Sequence, residues 1–433
     1  MFFTKKIKRA IITVVAAVTL VTCGVGIYAA PVNAETVNSY QDQNLNLNVK
    51  SAIAIDSSSG QILYAKNANK VLPIASMTKL VTIYLTLEAI KNKRISWNTK
   101  VSPTANIVKI SNNKDFSNVP LKKDHTYTVR QLYQATLIES ANGAAMCLAQ
   151  VIGGSQKNFV DQMRTQLKKW NINDAKIYTV CGLPNGSLGK DAYPGIGKNA
   201  ENSMSAADMA IVGQHLLKKY PSVVKTTKLA HKAFKDENET TMMDNFNWML
   251  KGLSQYNAKY PVDGLKTGTT DAAGACFIGT IKHNGGRLIT VVMGAQHKDG
   301  TDPSRFVQTK KLLKYLFKSY TPVVLESKAT FKGANSVRVP DGKSLTTNVG
   351  LKNKTVIWDP VDGKQLTTNL NKKTVNAPIS NGETISSYTF SSGKEKLISI
   401  NDNNGMKVDA QALQSNGKAN FFVRAWRWIT GVK

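Results

Sequence analysis

The sequence predicts an α/β fold: a mainly antiparallel sheet packed with helices, then a small all-β domain and a terminal amphipathic helix. Three observations carry this. Strand-like runs near residues 47–66 and 263–295 bracket a long stretch of helical periodicity, which implies a sheet assembled from distant parts of the chain. Beyond residue 321 the periodicity gives way to short strand-like runs separated by Asp341-Gly342, Asp362-Gly363, Asn381-Gly382 and Ser392-Gly393, pairs that favour hairpin turns. At the end, Phe421, Phe422, Ala425, Trp426, Trp428, Ile429 and Val432 share one side of a helix, with Arg424 and Arg427 opposite.

The first residues read as an export signal. Lys5, Lys6, Lys8 and Arg9 precede an apolar run from Ala10 to Ala30, and Val32-Asn33-Ala34 offers a small-x-small cleavage pattern before Glu35. The run is also about long enough to span a bilayer, so a retained anchor is the alternative to removal of residues 1–34. Of the net charge of +29, four positive charges lie in that segment, which leaves about +25 on the exported chain. Such an excess favours a polyanionic neighbour. Export, and the lack of a zinc-finger or RNA-binding signature, point to a membrane surface or an acidic wall polymer and away from nucleic acid.

Residues 35–45 read as a polar linker. Residues 47–56 and 61–66 form two strands joined by Ser57-Ser-Ser-Gly60. From 74 to about 91, Met77, Leu80, Val81, Tyr84, Leu85, Leu87, Ala89 and Ile90 recur at helical spacing behind Pro73, which suits a helix start. Helices follow at 129–139, 144–152, 156–170 and 206–219. Strands at 263–268, 275–282 and 287–295 include a hairpin across His283-Asn-Gly-Gly286, and a helix at 304–318 closes the region. The expected organisation is thus an α/β domain over 46–320, a small β-sandwich over 321–413 and an amphipathic helix over 414–433. Within the β-rich part, Asp341-Gly-Lys-Ser-Leu-Thr-Thr-Asn348 recurs as Asp362-Gly-Lys-Gln-Leu-Thr-Thr-Asn369, which reads as two similar hairpins. The tail is too short and too charged to span a membrane. It lies either in the interface, aromatics toward the acyl chains and cations toward phosphates, or against the protein's own surface.

Of the four cysteines, Cys147, Cys181 and Cys276 remain once residues 1–34 are removed; an odd number, widely spaced, suits small buried hydrophobes better than a disulfide framework or a metal site. No metal or cofactor motif is present, so no cofactor is expected.

The candidate chemistry lies in three short patterns. Ser76-Met-Thr-Lys79 puts a hydroxyl and an amine on one helical face. The helix N-terminus adds positive potential where an oxyanion forms. Lysine serves as a base only when neutral, which needs burial or a neighbouring cation. Spacing alone proves nothing, since Ser-x-x-Lys also occurs at Ser111/Lys114, Ser187/Lys190, Ser222/Lys225, Ser391/Lys394 and Ser415/Lys418. Lys266-Thr267-Gly268-Thr269 occurs once. Its lysine and hydroxyls on a strand edge suit a substrate carboxylate, and its glycine lets the substrate approach the backbone closely. Ser140-Ala-Asn142 lies between two apolar helices, although Ser-x-Asn appears also at Ser96/Asn98 and Ser111/Asn113.

In this order and at these separations the three patterns resemble the S-x-x-K, S-x-N and K-T-G elements shared by penicillin-binding proteins and serine β-lactamases. Ala54-Ile-Asp-Ser-Ser-Ser-Gly-Gln-Ile-Leu-Tyr64, Leu72-Pro-Ile-Ala-Ser-Met-Thr-Lys79, Asn245-Phe-Asn247 and Val262-Asp-Gly-Leu-Lys-Thr-Gly-Thr269 are similar to the D-alanyl-D-alanine carboxypeptidase branch, the low-molecular-weight penicillin-binding proteins. The resemblance covers residues 45–320. It implies a three-layer fold of the β-lactamase and transpeptidase type, helices on both faces of the sheet. It further implies that Ser76 is the nucleophile, Lys79 its general base, and Ser140 a proton relay with Lys79 and Lys266. Asn142 would hydrogen-bond the substrate peptide, and Lys266, Thr267, Gly268 and Thr269 would hold its terminal carboxylate. The N–H groups of Ser76 and Thr269 would form the oxyanion hole.

The chain departs from the family pattern over residues 181–202, with Lys190, Asp191 and Lys198, and in a charged insertion near Lys235-Asp-Glu-Asn-Glu239. The expected activity is hydrolysis of the terminal D-alanine from peptidoglycan stem peptides, with β-lactams as inhibitors. The alternatives are transpeptidation, endopeptidase or β-lactamase action on the same fold, and a non-catalytic wall-binding protein. No E-x-x-L-N pattern follows Ser140, so a long-lived penicilloyl adduct is expected.

Overall fold

The computed structural model describes residues 45–402 and 405–431. The expected export signal and all but the last residue of the linker lie outside the described residues.

Strand β1 (Ser51–Asp56) pairs antiparallel with β2 (Ile62–Lys66) on one side and with Gly286–Ala295 on the other. Two more antiparallel strands, Gly264–Thr270 and Gly274–His283, complete a five-stranded sheet. A separate hairpin, β3 (His231–Asp236) and β4 (Glu239–Asp244), lies outside the sheet and is formed by the charged insertion. In chain order the remaining sheet strands are β5 (Gly264–Thr270), β6 (Gly274–His283) and β7 (Gly286–Ala295), giving the spatial order β2-β1-β7-β6-β5. N- and C-terminal segments of the domain therefore share one sheet, as the bracketing of helices by strands implies. The strand carrying residues 266–269 is an edge strand.

Side-chain alternation shows that both faces are covered. Ile53, Ile55, Ile289 and Val291 join the larger core, whereas Ala52, Ala54, Leu288 and Val292 join a second core on the other face. The larger core is built by α1 (Lys79–Lys91), α2 (Ala105–Ser111), α3 (Val129–Leu137), α4 (Asn142–Gly153), α5 (Gln156–Lys169) and α6 (Ala206–Lys219). The second face is covered by α7 (Ser304–Ser319), through Phe306, Leu312, Leu313 and Leu316. The result is three layers.

Local chemistry sets the helix starts. The side chains of Thr104, Thr128, Ser155 and Ser205 each accept a backbone N–H from the first turn of α2, α3, α5 and α6, and Gln131 and Asp208 close reciprocal capping boxes. The helix expected from residue 74 differs: Ala75–Thr78 form a 3₁₀ turn, and the α-helix begins at Lys79. The short helix α2 has too few residues for a periodic signal and is not evident in the sequence.

The segment after residue 320 is all-β around its own core, which includes Val337, Val349, Leu351, Tyr388, Phe390 and Met406. Strand β8 (Tyr320–Leu325) pairs with β11 (Thr355–Pro360). The larger sheet runs β9 (Ser336–Arg338), β10 (Thr346–Leu351), β14 (Lys407–Ala412), β13 (Thr384–Ser392), β12 (Leu366–Leu370). The first half of the internal echo is a hairpin, with β9 against β10. The second is not, which corrects the sequence reading: β11 and β12, on either side of Asp362-Gly363, pair with β8 and β13. The cause is Trp358 on β11. It is fully buried against the catalytic region, its Nε1 donating to Asp56 Oδ2 at 2.9 Å and its backbone exchanging hydrogen bonds with Gln61 at 2.7 and 2.8 Å. A Cβ on Gly286 would lie 2.8 Å from its ring, so that glycine makes the seat. Ile398 and Ile400 join the larger core of the catalytic region, and Ile62 N–H donates to Ile398 O at 3.0 Å.

The last described element is α8 (Phe421–Thr430), capped by Asn420. Phe422 and Trp428 are 80% and 85% exposed, whereas Arg427 turns inward and donates to Pro340 O at 3.2 Å and Gly342 O at 2.6 Å. The approach to the helix is tied as well, by Ala419 N–H to Asp341 O at 2.9 Å and Lys343 N–H to Gly417 O at 2.7 Å. Among the described residues no helix is long and apolar enough to cross a membrane. Cys147, Cys181 and Cys276 are buried free thiols.

Candidate active site

Ser76 sits in the 3₁₀ turn ahead of α1, and that turn is held from three directions. Ile74 N–H donates to Asn202 O at 3.0 Å, and Asn202 Nδ2 donates to Thr78 Oγ1 at 3.0 Å. Gly182, at φ +87°, passes so close that a Cβ there would lie 2.0 Å from Ala75 O. Gly268 of β5 approaches from the sheet, where a Cβ would lie 2.6 Å from Ile74 O. Ala75 itself adopts φ +46°, a left-handed conformation that non-glycine residues rarely take. Such strain persists only where the surroundings over-determine it.

Lys79 is fully buried. Its Nζ lies 2.8 Å from Ser76 Oγ and donates to Asn142 Oδ1 and to Cys181 O, each at 2.7 Å. Burial lowers its pKa to about 8, against a smaller opposing pull from Cys181. Asn142 opens α4, and its Nδ2 donates to Ser117 O at 3.0 Å. Its oxygen is thus occupied by Lys79 and fixes that amine.

Ser140 lies between α3 and α4 at φ +57°. It lines a cleft of about 360 Å³ together with Ser76, Thr267, Gly268, Thr269 and Arg305. Lys266 stands behind that wall, buried, its Nζ donating to Thr267 O at 3.0 Å. Burial, and then the positive charges of Lys79 and Arg305, hold its pKa well below the usual lysine range, while Glu139 acts the other way. The structure thus brings together seven of the eight predicted residues around the cleft and Lys79, with Lys266 just behind.

Sequence reasoning missed several partners. Arg305, buried in the first turn of α7, donates to Thr269 Oγ1 at 2.6 Å, to Gly268 O at 2.9 Å and to Cys276 O at 3.2 Å. A cation in a helix's first turn opposes the helix dipole, and that broken local rule was the available signal. Cys181 O and Asn202 come from the stretch with little family pattern, and their role needs the fold to be seen. Phe246, Trp248 and His297 also line the cleft. Among the described residues no group of side chains could hold a metal ion.

A serine beside a buried lysine of lowered pKa, facing an edge strand with cations behind it, defines a serine acyl-transfer enzyme of the penicillin-interacting fold. The chain belongs to the peptidase S11 family, the D-alanyl-D-alanine carboxypeptidases, which it matches over residues 36–297. It is 28% identical to the D-alanyl-D-alanine carboxypeptidase DacF of Bacillus subtilis, over 80% of this chain and 82% of that protein. The crystal structure of a peptidoglycan synthesis regulatory factor, PBP3, from Streptococcus pneumoniae superposes with a TM-score of 0.75 at 34% identity, covering 86% of this chain and all of that one. The ampicillin-bound form of penicillin-binding protein D2 from Listeria monocytogenes matches at 30% identity and a TM-score of 0.51, covering 63% of this chain and 98% of that one.

Proposed function

We propose that the chain is a serine-type D-alanyl-D-alanine carboxypeptidase that removes the terminal D-alanine from peptidoglycan stem peptides through an acyl-Ser76 intermediate, and that β-lactams trap it. The observation that carries this reading is Lys79 Nζ, held 2.8 Å from Ser76 Oγ by Asn142 and Cys181. In its neutral form Lys79 takes the Ser76 hydroxyl proton as Oγ attacks the carbonyl carbon of the D-alanyl-D-alanine bond. The oxyanion is received by the N–H groups of Ser76 and Thr269, donors worth roughly 3–4 kcal/mol each in acyl transfer. The proton passes through Ser140 to the leaving nitrogen, the C–N bond breaks, and D-alanine departs. Water then attacks the ester, giving its proton back along the same route as Ser76 is released. Lys266, Thr267 and Thr269 hold the terminal carboxylate, with Gly268 open to the substrate backbone and Arg305 fixing the Thr269 hydroxyl. A β-lactam undergoes the same attack, but its opened ring nitrogen stays tethered and the ester persists.

Residues 46–320 form the catalytic domain in this reading, and 321–413 space it from an anchor over 414–433. The outward aromatic face of α8 supports insertion into the interface of an anionic membrane. Together with the export signal, this supports a location on the outer face of the cell membrane, facing the wall. A fluorescent penicillin is expected to label the protein covalently, and Ser76→Ala to abolish labelling. Retained labelling in that variant refutes the nucleophile assignment. D-alanine release from a pentapeptide, with and without an acceptor amine, separates hydrolysis from transpeptidation.

A further inference from the structure

A single buried amide joins the turn that carries Ser76 to the segment that holds Lys79. Asn202 is fully buried, and its Oδ1 accepts the backbone N–H groups of Tyr178 at 2.7 Å and Thr179 at 3.1 Å. Its Nδ2 donates to Thr179 O at 2.7 Å and, on the other side, to Thr78 Oγ1 at 3.0 Å. Every hydrogen-bonding position of the amide is filled, and exchanging its oxygen and nitrogen would set donor against donor and oxygen against oxygen. Residues 178–183, which it grips, form a strap closed on itself by Thr179 Oγ1. That hydroxyl accepts Gly182 N–H at 3.1 Å and donates to Leu183 O at 3.0 Å. Within the strap, Cys181 O accepts from Lys79 Nζ at 2.7 Å. At the other end of the tie, Thr78 lies between Ser76 and Lys79.

We propose that Asn202 is a positioning residue for acylation: its amide sets the place of Cys181 O, and through it of Lys79 Nζ, relative to Ser76. The inference rests on Ser76 being the nucleophile and Lys79 its base. Two acceptors hold Nζ against Ser76 Oγ, Asn142 Oδ1 from α4 and Cys181 O from the strap. Asn142 is fixed by Ser117 O, whereas the strap is fixed to the Ser76 turn by Asn202. Thr82 of α1 holds the strap as well, through Val180 O at 2.6 Å, but from beyond Lys79 and not from the side of Ser76. The tie needs a donor and an acceptor on one short side chain, which a carboxylate or an alkyl group does not supply. With the tie cut, Cys181 O shifts and Nζ follows it, and a misplacement of about 1 Å costs roughly 100-fold in rate.

The test mixes the full chain with a fluorescent penicillin over a range of concentrations in stopped flow. This separates the rate constant of acylation from the dissociation constant of the complex that precedes it. Asn202→Ala is expected to lower the rate constant about 100-fold and to leave the dissociation constant within about twofold. A merely structural role would lower the fraction of molecules that label, not the rate of those that do. Thr78→Val cuts only the bond to the turn and is expected to be about tenfold slow, while Thr78→Ser keeps the acceptor and the wild-type rate. Because both changes break one tie, Asn202→Ala with Thr78→Val is expected to be no slower than Asn202→Ala alone. If Asn202→Ala yields no folded protein, the Thr78 pair decides. A wild-type rate constant in Asn202→Ala or Thr78→Val overturns the proposal, as does a Thr78→Ser protein as slow as Thr78→Val, or effects that multiply in the double variant. A Lys79→Ala protein acylated at the wild-type rate refutes the base assignment, and this proposal with it. Dependence on Lys79 beside an unaffected Asn202→Ala refutes the proposal alone.

Discussion

Lys79 illustrates how burial changes an ordinary side chain. With a pKa near 8, only a minority of molecules hold the amine neutral at pH 7, and the neutral fraction grows as pH rises through 8. The rate of acylation by penicillin should therefore climb about tenfold between pH 6 and pH 7 and level off above 8, measured by stopped-flow or by quenched labelling. Lys79→Ala should lose acylation by several orders of magnitude without loss of fold. Gly182 makes a different kind of contribution. Gly182→Ala places a methyl where Ala75 O already sits and forces a side chain into φ +87°. Backbone strain of this sort costs about 1–3 kcal/mol, so the variant should melt earlier and label more slowly, because the strain falls on the turn that carries Ser76.

At the scale of elements, the first long helix, the individual strands of the five-stranded sheet and the last helix before residue 320 are legible because each signal is local. Met77 to Ile90 repeat at helical spacing, and the glycine-rich turn at residues 283–286 announces its hairpin. What was not legible depends on contacts between distant positions. Cys181 O reaches Lys79 across 102 residues and Asn202 reaches Thr78 across 124. The second half of the internal echo repeats the residues of a hairpin, yet β11 is claimed by Trp358 for the catalytic region, and no local pattern records that. Arg305 breaks a local charge rule at its helix start, yet nothing nearby in sequence tells that it holds Thr269. Trp358→Ala should remove the seat between β11 and the catalytic sheet, at a cost of about 3–5 kcal/mol for a buried tryptophan. Calorimetry should show the main transition moving down, or splitting as the β-rich segment unfolds apart from the rest.

At the scale of the whole molecule, a basic chain with an outward aromatic helix is suited to an anionic lipid surface. Truncation before Lys418 should free the protein from vesicles containing anionic lipid, while penicillin labelling in solution stays at the full-length level. If the truncated protein still sediments with the vesicles, the tail is not the anchor. The bonds from Arg427 to Pro340 and Gly342, with those of Ala419 and Gly417, make the tail a bracket and not a leash. Were its aromatics to enter a membrane interface as proposed, the cleft would stand at a set height with its angle to the surface restricted. Wall strands beyond that reach would then be spared whatever their chemistry, and the layer of wall that is trimmed would be chosen by carpentry as much as by recognition.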